Sequence, residues 1–282
     1  MSALLPTRMV ERPWGRTSLP VPFVAPPGQR IGEVWFEPPT ALEQLLVKYI
    51  FTSQALSVQV HPSDAQAPAG HRGKEECWLV IAAEPEAKLG IGFDRALSAE
   101  AMRAAALDGS IENLLTWHPA KPGDFFYIPA GTVHAIGAGI GLIEVQQNCD
   151  ITYRLYDYGR PRELHLDAGI AVARGEPYPA DLHQRVPHSG AAVLVDGPHF
   201  RLDRLDGAPD SATAARYTGP LLVIPLDGQA AVAGELVKCG DCALAATLSE
   251  VAVSDRCLIA QPCGSTPSVE SIQPPPITRS PQ

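Results

Sequence analysis

The stretch Ser-Val-Gln-Val-His-Pro at residues 57–62 is the starting point for interpreting this chain. It predicts a β-strand, and successive side chains of a strand point to opposite faces. Gln59 and His61 stand two positions apart, so they face the same way. An amide oxygen and an imidazole nitrogen on one strand face are both groups that can bind a divalent metal ion.

Two later stretches supply further candidate ligands. Residues 73–80 (Gly-Lys-Glu-Glu-Cys-Trp-Leu-Val) turn into another strand and offer Glu75 and Glu76, but the preceding loop hides the register, so either acid could be the ligand. Residues 123–134 form a strand that enters a Pro/Gly turn and presents His134. Two neutral imidazoles, a carboxylate and an amide oxygen suit a borderline divalent metal such as zinc. Taken together, these residues favour a metal site over unrelated polar positions.

The spacing within these stretches resembles the cupin motifs. The fixed positions of the second cupin motif are filled by Gly123, Pro129, Gly131 and His134. Ala138 stands where that motif commonly has Asn, and the first motif, usually His-x-His with an early glutamate, is here Gln59-x-His61 with a delayed one. These departures together resemble the type I mannose-6-phosphate isomerases (phosphomannose isomerases) in their short bacterial-type form, whose marks are Gln-x-His-Pro and a delayed Lys-x-Glu.

Other marks of this family lie outside the site. They are Pro-Trp-Gly at 13–15, Ile-Gly-Glu-Val-Trp at 31–35 and Ile-Thr-Tyr-Arg-Leu-Tyr-Asp-Tyr-Gly-Arg at 151–160. The resemblance therefore extends over about residues 10–170.

The resemblance implies a role for each candidate residue. One zinc ion per chain would be held by Gln59, His61, Glu76 and His134. Arg154 would be the catalytic residue at the mouth of the cavity. Ser57, Lys74 and Glu144 would bind the substrate. The implied reaction is the interconversion of D-mannose 6-phosphate and D-fructose 6-phosphate, and which side chain moves the proton stays open.

Other interpretations of the same residues remain. The chain could be a cupin isomerase for another phosphorylated sugar, or a cupin that retains a metal and binds a sugar without turnover. An iron-dependent oxygenase usually has a His-rich triad, whereas Gln59 replaces a histidine here. Arg154 could instead be a buried ion-pair partner of Glu144, and Lys74 could simply solvate a loop.

The remaining sequence predicts an all-β fold. Short apolar or alternating runs with turns between them indicate strands, and the resemblance makes the first half a cupin jelly-roll barrel. A small helical insertion is predicted at about residues 98–118, where Ser98 is a cap and Asp108-Gly109 a stop. We expect a metal-binding catalytic domain at 1–180, a second, smaller cupin-like β domain at 181–263, and a Pro/Ser-rich tail at 264–282 with little to bury.

Composition limits the partners. The 282 residues include 45% hydrophobic and 19% charged residues, which is typical of a globular chain. A formal net charge of −9 argues against nucleic-acid binding, and no apolar run or signal core predicts a membrane association. We therefore expect a cytoplasmic protein that binds a small phosphorylated sugar, with an oligomeric state that the sequence leaves open. Candidate cations for the phosphate are Lys74, Arg154, Arg160 and Arg162.

Cysteines and the other histidines are predicted to be structural. The six cysteines are expected to be reduced thiols. Cys239 and Cys242 have zinc-ribbon spacing, but no second such pair completes four ligands, so a hairpin turn is expected there. His71 and His118 are predicted not to be ligands, and the three histidines of the second half, His183, His188 and His199, lack metal-ligand spacing.

Overall fold

Strands dominate the computed structural model, which describes residues 3–263. The predicted tail at 264–282 lies outside those residues. The strands of the first part are β1 Thr7–Arg16, β2 Ile31–Phe36, β3 Leu45–Phe51, β4 Val58–Val60, β5 Glu76–Ala83, β6 Lys88–Phe93, β7 Leu115–Pro119, β8 Asp124–Ile128, β9 His134–Ile136, β10 Ile140–Gln147, β11 Tyr153–Tyr156 and β12 His183–Arg185.

These strands form two antiparallel sheets that face each other. The seven-stranded sheet has the order β1-β2-β3-β10-β5-β8-β12, and the five-stranded sheet the order β11-β4-β9-β6-β7. Buried side chains from both fill the space between them, among them Trp78 and Phe126 from the larger sheet and Leu89 and Ile136 from the smaller. The predicted all-β jelly-roll barrel is thus confirmed.

The second part of the chain adds more sheet. Its strands are β13 Ala192–Asp196, β14 Phe200–Asp206, β15 Leu221–Pro225, β16 Gln229–Val232, β17 Glu235–Lys238, β18 Ala243–Ala245, β19 Val251–Val253 and β20 Arg256–Pro262. They form a five-stranded sheet, β13-β14-β20-β15-β18, and a three-stranded sheet, β17-β16-β19. Between these two sheets lies a separate core that includes Val223, Val232 and Ile259.

A larger core joins the two parts. Cys77, Leu79 and Phe125 of the seven-stranded sheet pack with Phe200 and Leu258 of the five-stranded sheet that follows. In addition, β12 lies beyond the predicted boundary at residues 180 and 181 but pairs with β8 of the barrel. The division into two domains stays a prediction, and the second β unit lies against the outer face of the barrel.

The four α-helices of residues 3–263 are α1 Ala99–Asp108, α2 Ile111–Leu114, α3 Leu166–Val172 and α4 Ser211–Arg216. As predicted, Ser98 caps α1, where its hydroxyl accepts a hydrogen bond from the Ala101 amide at 3.2 Å, and Gly109 ends it with φ +83°. The predicted insertion at 98–118 extends too far, because residues 115–119 pair with β6 as β7. Among the described residues, no helix is long and apolar enough to cross a membrane.

Candidate metal centre and active site

The five-stranded sheet aligns three of the candidate residues in one row. Arg154 on β11 is the register partner of Gln59 on β4, and Gln59 is the partner of His134 at the start of β9. Directly paired residues of antiparallel strands project from the same face. The row therefore brings an arginine, an amide and an imidazole together from parts of the chain that are far apart in sequence.

His61, Glu76 and His134 form a buried cluster in which one ligand atom of each lies within 4.8 Å of the others. The Nε2 atom of His61 is 3.6 Å from Glu76 Oε2, and that of His134 is 3.4 Å from Glu76 Oε1. Glu76 is the first residue of β5 in the opposite sheet. Both sheets of the barrel thus contribute to the cluster.

Backbone carbonyls orient the two imidazoles. His61 Nδ1 donates to the carbonyl of Ile151 at 2.8 Å, and His134 Nδ1 donates to that of Thr132 at 2.9 Å. This leaves both Nε2 lone pairs directed at Glu76, as in metal sites whose histidines donate their other nitrogen to a carbonyl. Burial, together with the charge of Lys74, holds the pKa of His61 well below its usual value, and burial lowers the pKa of His134.

The side chains of Glu75 and Glu76 lie in different surroundings. Glu76 is fully buried against the two histidines, and its Oε1 has no hydrogen-bond partner among the described residues. Glu75 instead accepts a hydrogen bond from the Tyr127 hydroxyl and lies 3.6 Å from His199 Nε2. The choice that the sequence left open therefore has a geometric answer: only the Glu76 side chain lies in the cluster.

Gln59 lies beside the cluster. Its Nε2 is 3.3 Å from His134 Nε2, while its Oε1 accepts a hydrogen bond from Ser57 Oγ at 3.1 Å. A half-turn of the terminal amide exchanges its oxygen and nitrogen and would direct the oxygen toward His134. Ser57 thus holds the amide that neighbours the cluster.

Lys74 connects the cluster to a second buried carboxylate. Its ammonium donates to Glu76 Oε2, lies 3.2 Å from His61 Nε2 and is 3.9 Å from Glu144 Oε1. Burial disfavours a charge on Lys74, but the carboxylates of Glu144 and Glu76 together raise its pKa above the usual value. Burial likewise opposes ionisation of Glu76, yet Lys74 and His134 together lower its pKa. The expectation that Lys74 could merely solvate a loop is wrong, since this side chain is buried.

Lys48 belongs to a row of residues that are paired directly across the seven-stranded sheet. The row consists of Arg8, Trp35, Lys48, Glu144, Trp78, Phe126 and His183. Lys48 Nζ donates to Glu144 Oε1 at 3.1 Å, and Trp78 Nε1 donates to Glu144 Oε2 at 3.0 Å. Lys48, Glu144, Lys74 and Glu76 therefore form a buried sequence of alternating charges.

Sequence analysis missed Lys48. The available signal was a single lysine within the otherwise apolar strand Leu-Leu-Val-Lys-Tyr-Ile-Phe at residues 45–51. A lysine in a strand that is buried throughout must have a partner, because an unpaired buried charge is costly. Glu144, on the adjacent strand β10, is that partner.

Lys48→Met is expected to lower the free energy of unfolding by about 3 kcal/mol, since it leaves Glu144 with one distant ammonium in a buried site. Lys88→Met is the matched control. The ammonium groups of Lys48 and Lys88 each lie 4.5 Å from a tryptophan ring, of Trp35 and Trp117 respectively, but Lys88 is exposed. Urea titrations that gave equal losses for the two variants would contradict a stabilising ion pair at Lys48.

Lys48, Lys74 and Glu144 line a cavity of about 450 Å³. Its lining includes all the predicted substrate residues, together with Gln59 and Arg154. Residues that sequence analysis did not select as site residues also line it, namely Glu11, Arg12, Pro13, Trp14, Glu33, Trp35, Lys48, Ile50, Asp150, Thr152 and His165. Of the predicted phosphate cations, Lys74, Arg154 and Arg162 line the cavity and Arg160 does not.

Three arginines of the cavity differ in their partners. Arg12 is 2.7 Å from Glu33 Oε2, and Arg162 makes two hydrogen bonds of 2.6 Å to Asp157. Arg154 is half-buried, and its Nε donates to the Glu163 carbonyl at 3.0 Å. Within residues 3–263, no carboxylate lies at ion-pair distance from the Arg154 guanidinium. This cation is therefore available to bind an anionic ligand.

The suggested pairing of Arg154 with Glu144 is wrong, because the partners of Glu144 are Lys48, Lys74 and Trp78. Arg160 donates to Asp157 and to the Ala55 carbonyl, away from the cavity.

The remaining predicted non-ligands lie elsewhere. His71 is exposed, His118 packs against Phe126 and Tyr178, and Cys239 and Cys242 flank a turn between β17 and β18.

Comparison with known proteins supports a common origin. No protein-family model matches the chain. A curated relative, mannose-6-phosphate isomerase of Streptococcus mutans serotype c, is 41% identical over 199 residues, a match that covers 66% of this chain and 61% of the relative. The chain thus spans less than two thirds of the length of that relative.

Solved structures share the fold over nearly the whole chain. The mannose 6-phosphate isomerase of Bacillus subtilis superposes with a TM-score of 0.71 at 24% identity, covering 92% of this chain and 99% of that one. A zinc-bound mannose 6-phosphate isomerase superposes with a TM-score of 0.66 at 16% identity, covering 92% and 99%. The chain is thus similar in sequence to a mannose-6-phosphate isomerase over 66% of its own length, and it shares the fold of solved structures of that name.

Proposed function

We propose that this protein is a zinc-dependent aldose–ketose isomerase that interconverts D-mannose 6-phosphate and D-fructose 6-phosphate. The observation that carries the proposal is the buried cluster of His61, Glu76 and His134 beside a cavity lined by Arg154, which has no carboxylate at ion-pair distance within residues 3–263. The sequence relative named for this activity and the zinc-bound structural neighbour are consistent with it.

The donor set fits zinc. Two neutral imidazoles with inward lone pairs and an ionised carboxylate are the ligands zinc prefers, and Gln59 would add its amide oxygen. Glu76 Oε1 is buried without a hydrogen-bond partner among the described residues, and such an atom is costly to leave unsatisfied. We assign Gln59, His61, Glu76 and His134 as the ligands. When bound, zinc would supply positive charge that orients the sugar oxygens or stabilises negative charge on them.

The cavity provides the cations that a phosphorylated sugar needs. Arg12 and Arg162 are each held by a carboxylate, so their remaining N–H groups are fixed in direction and can donate to phosphate oxygens. Because the chain as a whole is acidic, these local charges must outweigh its net charge of −9 at short range. We therefore assign Arg12 and Arg162, rather than Arg160, as phosphate-binding residues.

The reaction moves one proton between C2 and C1 of the sugar and a second between the oxygens on these two carbons, and it passes through an enediolate. Arg154 keeps its charge at any ordinary pH and lacks a carboxylate partner within residues 3–263, so it is suited to stabilise the negative charge that develops on the sugar oxygens. Lys74 and Ser57 line the cavity next to the cluster and would donate hydrogen bonds to hydroxyl groups. Glu144, held by Lys48 and Trp78, fixes the position of Lys74.

The location and partners belong to the same proposal. All six cysteines are unpaired in the described structure, which fits a reducing compartment, and we assign the enzyme to the cytoplasm. The partner we assign is a small phosphorylated sugar.

Glu76→Gln is expected to lose bound zinc and at least about a hundredfold in turnover, since an amide binds a divalent cation more weakly than a carboxylate. Glu75→Gln is the matched control, because the same change one residue away removes only contacts to Tyr127 and His199. Elemental analysis and steady-state kinetics compare the two. The reverse ranking would transfer the ligand role to Glu75.

The test of the function is a coupled assay with mannose 6-phosphate and detection of fructose 6-phosphate. The protein is assayed after chelation and again after zinc is restored. We expect turnover only in the zinc-restored protein. Zinc-dependent turnover of a different phosphorylated aldose alone would favour the alternative isomerase, and tight sugar binding without turnover of any of them would favour a binding protein.

A further inference from the structure

A second cavity, of about 610 Å³, lies where the C-terminal β unit meets the outer face of the barrel. Part of its lining is apolar and includes Leu79 and Ile81 of β5 and Leu226 after β15. The rest includes three arginines, Arg185, Arg204 and Arg256. It shares no lining residue with the candidate active-site cavity. It therefore needs an explanation of its own.

Arg204 is the unusual group of this cavity. Its side chain is among the largest that are fully buried, with 1% of the residue exposed. Its two terminal nitrogens donate to the carbonyls of Pro187 and Gly190, while its Nε is buried and has no hydrogen-bond partner in the part of the chain that the structure describes. The same part of the chain places no carboxylate at ion-pair distance from the guanidinium. A positive charge is thus enclosed with no carboxylate in direct contact among the described residues.

The other two arginines do not neutralise this charge. Arg256 pairs with Asp227, and Arg185 lies 3.0 Å from Asp124 Oδ1. Burial lowers the pKa of Arg204, the charge of Asp206 opposes this shift, and the charge of Arg256 adds a smaller lowering. Of the three arginines, Arg204 alone has no carboxylate at ion-pair distance within residues 3–263, and the charge of Asp206 acts on it from beyond that distance.

We propose that this cavity binds a small organic anion, with its phosphate or carboxylate group on Arg204 and Arg256 and its apolar body on Leu79, Ile81 and Leu226. The volume lies within the range of roughly 300–1,000 Å³ that is typical of small-molecule sites. Arginine guanidinium groups are well suited to planar recognition of carboxylate and phosphate. Since Glu76 and the cavity residues Leu79 and Ile81 share strand β5, the bound anion would contact the strand that carries the candidate metal ligand.

The probe is phenyl phosphate, which has both an anionic phosphate group and an apolar ring. Its controls are inorganic phosphate, which has the charge alone, and phenol, which has the ring alone. We expect methyl-labelled protein to show NMR shifts at Leu79, Ile81 and Leu226, and calorimetry to give binding at least about tenfold tighter than for either control. Absence of shifts at these three methyl-bearing residues would overturn the proposal, because binding would then be elsewhere.

Variants distinguish binding of phenyl phosphate in this cavity from binding in the candidate active site. Arg204→Met and Ile81→Asp should each weaken phenyl phosphate at least about tenfold, the loss expected when one charged hydrogen bond is removed or a like charge is introduced. Arg154→Ala should leave this binding unchanged. Circular dichroism checks folding, and if Arg204→Met does not fold, Ile81→Asp decides. Undiminished binding in a folded variant of either kind would refute the assignment.

Discussion

Replacing His61 or His134 by Ala is expected to reduce bound zinc from about one equivalent to below about a tenth, and turnover by about a thousandfold. Each imidazole presents Nε2 to the cluster and is held there by a backbone carbonyl, so nothing else in the described structure can take its place. The barrel should persist, because the sheets are held by apolar side chains such as Trp78, Phe126 and Leu89. Elemental analysis of dialysed protein and the coupled assay measure the two effects.

His118→Ala is the control for this experiment. It also removes a packed imidazole, here one that contacts Phe126 and Tyr178 in the same barrel, but it should leave the zinc content unchanged. Circular dichroism shows whether each variant remains folded. Full zinc occupancy in both folded ligand variants would refute the metal centre, and zinc loss in His118→Ala as well would mean that loss of packing alone releases the metal.

Local patterns in the sequence were sufficient for much of the barrel. Short apolar runs flanked by turn residues predict strands at residues 88–93 and 124–128, and the structure has both strands with these bounds. Strand β1 was missed, since its residues are largely exposed and its pairing with β2 shifts register twice. Helix α3 was missed as well, because it is seven residues long and its N-cap, His165, makes no capping hydrogen bond.

The site was predictable only where its residues are close in sequence or belong to a motif. Gln59 and His61 share a strand face by simple alternation, and His134 follows a recognisable turn. The contact between Lys48 and Glu144 depends on the register between β3 and β10. These two residues are 96 positions apart in the chain, and no local sequence pattern predicts a register between strands so far apart. Glu75 and Glu76 could not be separated for the same reason, since a shift of one residue reverses the face of a strand.

Arg154→Ala is expected to lower kcat by about a hundredfold or more, the scale for removing one preorganised electrostatic group, while zinc content and most of the stability are retained. The reason is its position: the arginine aligns with Gln59 and His134 across the sheet, lines the cavity, and has no carboxylate partner within the described residues. Its removal therefore strands no buried acid. Steady-state kinetics, zinc analysis and thermal melting measure the three quantities.

Arg160→Ala separates this role from a general loss of positive charge. Arg160 lies six residues away in the same segment, but it donates to Asp157 and Ala55 outside the cavity, and Asp157 keeps its bonds to Arg162. The Arg160→Ala variant should retain nearly full kcat. If Arg154 were a structural ion-pair residue, its loss would instead cost about 3–5 kcal/mol of stability, with kcat of the folded fraction unchanged. Near-normal turnover in folded, zinc-loaded Arg154→Ala protein would therefore refute the catalytic role, whereas low turnover with unchanged melting, beside an active Arg160→Ala protein, would place the negative charge of the reaction next to Arg154.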